Sequence, residues 1–149
     1  GLEFALACDF RIVTKNAQLS LPEMKIGMIP GSGGSVRLAR MIGLSRVKDM
    51  IMRGKRISGD QAFTWGIAAE IVDINQLETM TETLVSELCS VSPLAQRAVK
   101  TVLNASQDAP LHVAIELEGE TYGRLRSSND FKEGVQSFVE KRKPNYTGS

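Results

Sequence analysis

The stretch "GMIPGSGGSVRLARMIG", residues 27–43, limits the folds open to this chain more than any other passage. Pro30-Gly31 is a turn signal. Gly33-Gly34 let the backbone approach a neighbour at a distance no Cβ-bearing residue tolerates. A helix is predicted from about Ser35 to Ile42, stopping at Gly43. Another is predicted from Ser45 through "RVKDMIMR", ended by Gly54. Such a passage forces short elements that meet at tight turns.

Upstream, "LEFALACD" (Leu2 to Asp9) is apolar at most positions, the pattern of a helix body buried nearly all round. "FRIVT" (Phe10 to Thr14) alternates and is β-branched. Lys15-Asn16 makes a turn, and "AQLSLP" (Ala17 to Pro22) returns as the second strand of a hairpin. Glu23 then lies just past a strand end, where side chains meet a cleft rather than a core. Further on, Ser58 and Gln61 form a capping box, Gly66 ends that helix, and "IAAEIVD" (Ile67 to Asp73) is a short strand.

From there the pattern is helical. Leu77, Met80, Leu84 and Leu88 stripe a helix over Asn75 to Cys89. Pro93 and Pro110 open two more, the latter reaching about Arg126, and Asn129 caps a last one ending near Lys141. No linker, low-complexity segment or internal repeat divides the chain. Residues 1–73 therefore mix strand and helix, and residues 74–149 are helical: an α/β protein with a helical second part.

Lys+Arg 18 against Asp+Glu 17 leaves no basic footprint for nucleic acid. Cys8 and Cys89 match no metal or redox spacing and are expected to be reduced, buried thiols. No apolar run approaches the ~18–20 residues of a membrane span, and no signal-peptide core is present, so a soluble protein is expected. "PGSGGS" is not a phosphate loop, because no Lys follows the glycines. His112, the single histidine, has no carboxylate pattern beside it. Trp65 is expected in the core, and Asp9 in a local hydrogen bond.

Glu3 and Glu23 stand out. Each is out of place for a solvated carboxylate, since a buried one costs several kcal/mol unless it finds a partner or a proton. Two facing carboxylates allow proton chemistry, one holding a proton while the other stays ionised. Surface exposure or a structural hydrogen bond is the alternative that spacing leaves open.

The passage from Gly1 to Gly43 resembles the central signature of the enoyl-CoA hydratase/isomerase (crotonase) superfamily. The family's G-G-G-x-E-L-A-x-x-C-D run survives as Gly1, Glu3, Ala5, Cys8 and Asp9. Its PE-x-x-x-G-x-x-P-G-x-G-G-x-x-R-L run matches Pro22, Glu23, Gly27, Pro30, Gly31, Gly33, Gly34, Arg37 and Leu38. The tail "FKEGVQSFVEKRKPNY" is similar to the family's last helix. The resemblance implies the crotonase (ClpP-like spiral) fold, with residues 1–73 as the C-terminal part of its ββα core and residues 74–149 as a helical trimerisation region.

It also implies chemistry. The family's two catalytic glutamates fall on Glu3, which would orient and deprotonate a water, and Glu23, which would protonate the α-carbon of a trans-2-enoyl-CoA. The product would be a 3-hydroxyacyl-CoA, as in fatty-acid β-oxidation. Gly31 would lie beside the acyl pocket with Ile26 as a wall, Gly1 and Pro22 would also bind substrate, and Tyr122 and Lys141 would contact the CoA adenine and phosphates. No metal or redox cofactor is implied, since the substrate carries the coenzyme A. Only the last Gly of the G-G-G run is present, so both oxyanion donors are expected in an N-terminal half of the same enzyme, and this piece alone is expected to be inactive. A homotrimer or dimer of trimers is implied, without nucleic acid, in the cytoplasm or else the mitochondrial matrix. Alternatives on the same fold are isomerisation, a hydratase-lyase, or a non-catalytic oligomerisation or RNA-binding member.

Overall fold

A computed structural model describes residues Gly1–Ser149. The elements run α1 (Leu2–Ala7), β1 (Ile12–Thr14), β2 (Gln18–Leu19), a 3-10 turn (Glu23–Ile26), α2 (Gly34–Ile42), α3 (Leu44–Met52), β3 (Ile57–Ser58), α4 (Gly59–Thr64) and β4 (Glu70–Val72). A second 3-10 turn (Ile74–Gln76) leads into α5 (Leu77–Cys89), followed by α6 (Pro93–Ser106), α7 (Leu111–Leu125) and α8 (Asn129–Glu140). The chain forms two compact units, Gly1–Glu82 and Thr83–Ser149. They divide within α5 rather than at the end of the last strand near residue 73.

In the first unit β1 pairs with β4 in parallel, Ile12 opposite Glu70 and Thr14 opposite Val72. β2 pairs antiparallel with β3, Gln18 opposite Ser58. The hairpin expected between β1 and β2 does not form. The Ala17 N–H does close a turn onto the Thr14 carbonyl, but the Gly59 N–H then donates to the Ala17 carbonyl at 3.0 Å. The start of α4 is thereby brought against that turn, and each strand takes a distant partner. A Cβ on Gly59 would lie 2.0 Å from the Thr14 carbonyl oxygen, so only glycine fits there. β3, two residues long, is too short for any periodicity to reveal.

The core of this unit is Leu6, Leu21, Leu38, Ile42, Val47, Met50, Ile51, Ile57, Ala62 and Ile67, with Trp65 packed on its edge. The Arg46 guanidinium lies 5.3 Å from the centre of the Trp65 ring, a cation–π contact. α2 and α3 present their i, i+3, i+4 stripes to this core (Leu38 and Ile42; Val47, Met50 and Ile51), as the 3.6-residue period requires. Arg11 fastens the end of α1 by donating to the carbonyls of Ala5, Cys8 and Ile67. The α4 capping box is present, with Ser58 Oγ accepting from Gln61 N–H and Gln61 Oε1 accepting from Ser58 N–H.

Two expectations for burial fail. α1 buries Leu6 but leaves Phe4 78% exposed, so it is a one-sided helix rather than one covered all round. Cys8 and Cys89 are both exposed: each ends a helix, outside the stripe that its helix turns to the interior.

In the second unit α6 packs on α7, and Ala114 is the one buried apolar residue. Ser92 Oγ caps α6 at Ala95 N–H, with Pro93 in the first turn. α8 is capped by Ser128, not Asn129: Ser128 Oγ accepts from Phe131 N–H, while the Asn129 N–H donates to the Ser149 carbonyl. The tail after α8 is tied back by carboxylates. Asp130, 3% exposed, accepts from Ser92 Oγ and from the Thr147 and Gly148 N–H groups. Glu133 receives both Arg142 Nη groups and the Asn145 N–H. Leu103, Leu111, Ile115, Phe138 and Val139 remain exposed, more apolar surface than a small helical unit of its own keeps in water. No helix of the chain is long and apolar enough to cross a membrane.

Candidate active site

Glu3 sits in the first turn of α1, two residues after Gly1, the N-cap residue. Its Oε1 accepts two backbone hydrogen bonds, from Ser32 N–H at 2.8 Å and Gly34 N–H at 3.0 Å. These amides belong to the turn that opens α2, where unpaired N–H groups and the helix dipole favour an anion. Gly34 is what allows the approach: a Cβ there would lie 2.6 Å from Glu3 Cγ and 2.9 Å from Oε1. One carboxylate oxygen is thus fixed, and with it the direction in which the other can serve as a base. The glycine pair "GG" before a helix was the available sequence signal for this cradle, but its occupant could not be read from spacing.

Glu23 opens the 3-10 turn Glu23–Ile26, not the end of an extended strand: β2 stops at Leu19, and Pro22 is the N-cap residue of the turn. The Lys25 N–H bonds to the Pro22 carbonyl and the Met28 N–H to the Glu23 carbonyl. Gly27 closes the turn with φ +78°. The main chain at Glu23 is therefore held from both sides. Its side-chain Oε2 is buried and has no hydrogen-bonding partner within the chain. A buried carboxylate oxygen without a partner costs about 1–3 kcal/mol, and proteins tolerate it chiefly where a proton, a water or a substrate is to be met.

Around this turn the surface is apolar. Ile26 is 80% exposed, and Met28 and Ile29 are exposed beside it. Gly1 and Gly31 face open space, with nothing within 4 Å of where a Cβ would stand. Unit one thus carries Glu3, Glu23, Gly1, Pro22, Ile26 and Gly31. Tyr122 and Lys141 belong to the other unit. Tyr122 lines a groove of about 530 Å³ with Leu125, Phe131, Val135, Phe138 and Tyr146, and Arg126 stacks 5.9 Å from its ring centre. Lys141 is the residue that ends α8, in the left-handed conformation at φ +55°.

In the second unit, carboxylates are strongly perturbed where they hold the tail. Glu133 is pulled down to about 2 by the Arg142 guanidinium and then by the Asn145 N–H. Asp130 is also lowered, first by Ser92 Oγ. These carboxylates are occupied in holding the tail and are structural. His112 lies exposed in the first turn of α7.

Residues 1–149 match the family described as enoyl-CoA hydratase/isomerase. An enoyl-CoA isomerase/hydratase of Mycosarcoma maydis is 36% identical over 149 residues, covering 99% of this chain and 54% of that protein. The short-chain-enoyl-CoA hydratase of Clostridium acetobutylicum is 32% identical over 143 residues, covering 96% of this chain and 55% of its own. The crystal structure of an enoyl-CoA hydratase from Bacillus anthracis superposes with a TM-score of 0.94 at 37% identity, over 97% of this chain and 56% of that one. The chain thus spans a little over half the length of the curated relatives it matches.

Proposed function

Because the chain belongs to the enoyl-CoA hydratase/isomerase (crotonase) family, we propose that it carries the acid–base half of an enoyl-CoA hydratase. The reaction adds water across the conjugated double bond of a trans-2-enoyl-CoA to give a 3-hydroxyacyl-CoA. The observation that carries this reading is the contrast between the two glutamates. Glu3 has one oxygen anchored by two amides, whereas Glu23 has a buried oxygen that nothing in the chain satisfies.

The division of labour follows from that contrast. Two amides hold one oxygen of Glu3, which leaves the other aimed for use as a base. Glu3 takes one proton from a water as the hydroxyl oxygen bonds to C3. Glu23, whose buried oxygen has no partner within the chain, delivers a second proton of its own to C2 and is left as the carboxylate. Proton exchange with solvent then resets the pair. Each group contributes about 10²–10⁴-fold to the rate. The negative charge that builds on the thioester oxygen needs N–H donors aimed at it, and these belong to a partner segment, the N-terminal half of the fold. Proton transfer and carbonyl polarisation call on no metal or redox group, and the coenzyme A arrives with the substrate.

Gly1, Pro22, Ile26 and Gly31 border the acyl group in this scheme. The exposed Ile26, Met28 and Ile29 support that role, being an apolar surface next to a carboxylate. Tyr122 suits the adenine ring and Lys141 a phosphate. The uncovered apolar faces of the second unit support a trimer, or two stacked trimers. Bacterial relatives such as that of C. acetobutylicum support a cytoplasmic setting.

The test is hydration of crotonyl-CoA by the intact enzyme, followed by loss of the conjugated thioester absorbance. Glu3→Gln and Glu23→Gln should each lower kcat by about 10²–10⁴-fold. An enzyme that shifts the double bond of a 3-enoyl-CoA and adds no water would replace this reading with isomerisation.

A further inference from the structure

Arg37 lies one turn into α2. Its Nη1 donates to the Ser32 carbonyl oxygen at 2.8 Å. That carbonyl belongs to the peptide between Ser32 and Gly33. The peptides on either side present the Ser32 and Gly34 N–H groups to Glu3 Oε1. The turn therefore alternates: an amide to the carboxylate, a carbonyl to the guanidinium, an amide to the carboxylate.

Gly33 stands at φ +84°, and a Cβ there would lie 2.4 Å from Arg37 Nη1 and 3.1 Å from Cζ. Glycine is thus needed at 33 for the guanidinium to lie against the backbone, just as it is needed at 34 for the carboxylate. Two adjacent glycines also leave the backbone here with little intrinsic restriction of its own. The hydrogen bond from Arg37 fixes the one peptide whose rotation would carry both flanking amides away from Glu3.

Resting on the reading that Glu3 is the base, we infer that Arg37 is a positioning residue. It touches no substrate, and it acts on the reaction by locking the Ser32–Gly34 turn that aims the Glu3 carboxylate. A misplacement of about 1 Å at a reacting group costs about 100-fold in rate.

The experiment uses the intact enzyme and crotonyl-CoA, with Glu3→Gln, Arg37→Ala and Arg37→Lys compared by kcat, KM and thermal midpoint. Arg37→Ala should lose about 10–100-fold in kcat with KM nearly unchanged, because substrate binding is untouched. Arg37→Lys should recover most of the rate, and added guanidinium should partly restore Arg37→Ala. Should Arg37→Ala not fold, Arg37→Gln, which keeps a helix-forming stem but no charged donor, is expected to show the same loss of kcat. If Glu3→Gln is inactive while Arg37→Ala and Arg37→Gln turn over like the wild type, the positioning role is overturned alone. A loss in the Arg37 variants confined to KM, or one that guanidinium and Lys leave unrelieved, overturns it too. If Glu3→Gln keeps full activity, the underlying reading falls, and the positioning role with it.

Discussion

Gly34→Ala sets two physical effects against each other at one position. Gly34 is the first residue of α2, and alanine in place of glycine ordinarily favours a helix by about 0.5–1 kcal/mol. Against that, the new methyl carbon would stand 2.6 Å from Glu3 Cγ and 3.2 Å from Cδ. Glu3 is a side chain and can rotate away, so the clash itself need not break the fold. What is lost is a pair of hydrogen bonds to a charged acceptor, each about 1.5–3 kcal/mol. One of the two is solvent-exposed, and the displaced carboxylate regains water, so their combined worth falls to about 2–3 kcal/mol. Subtracting the helix preference leaves a net destabilisation of about 1–2.5 kcal/mol, or about 2–10 °C in thermal midpoint for a chain of this size. The catalytic effect should be much larger than the stability effect, with kcat lower by about 100-fold or more. Denaturant unfolding and crotonyl-CoA hydration by the same intact preparation would measure both. A variant more stable than the wild type and equally active would refute the claim that Gly34 exists to admit Glu3.

Gly59→Ala should behave differently, since its methyl carbon would meet the Thr14 backbone oxygen at 2.0 Å. Main chain cannot swing aside, so destabilisation at or above the upper end of about 1–3 kcal/mol is expected by denaturant melts. The tail should respond to acid through Glu133. Its carboxyl is ordinarily near 4.5 and is held to about 2 in the folded tail. A lowered folded value means that the stabilisation is fully present above about 4.5, declines as pH falls, and is gone below about 2. Amide protection of Asn145 should follow that window, and Glu133→Gln should remove the part of the pH dependence that Glu133 carries, leaving the part carried by Asp130. Asp130→Ala should expose Thr147 and Gly148 to hydrogen exchange and proteolysis at neutral pH, because it deletes their common acceptor.

The helices from Gly34 onward were legible because each carries its own punctuation: Gly43 and Gly54, the Ser58–Gln61 box, Gly66, Pro93 and Pro110. Local chemistry decides such boundaries, so one chain suffices to see them. Strand pairing was not legible. β1 and β2 are joined by a turn that reads as a hairpin, yet their partners are set by Gly59, far away in sequence. The Phe4 side of α1 and the two cysteines were misjudged for the same reason: an apolar run does not say which face finds a neighbour. At the site, Glu3 and Glu23 could be picked out as carboxylates in unusual settings. That Glu3 is cradled by Ser32 and Gly34 depends on contacts across about thirty residues that no spacing encodes, and the local contact of Arg37 with Ser32 gains meaning only once that cradle is seen. The α8 cap is a smaller case. Asn129 is a good capping type, but Ser128 sits one residue earlier, and the Ser149 carbonyl takes the Asn129 amide.

The most direct measurement is a crystal structure of the intact enzyme with an unreactive acyl-CoA thioester bound. One water should lie within about 2.6–3.2 Å of both a Glu3 oxygen and the Glu23 oxygen that has no partner here, facing C3 of the acyl chain. Carboxylates turned to opposite sides of the acyl group, or a water held by neither, would contradict the two-glutamate hydration chemistry and leave the fold alone standing.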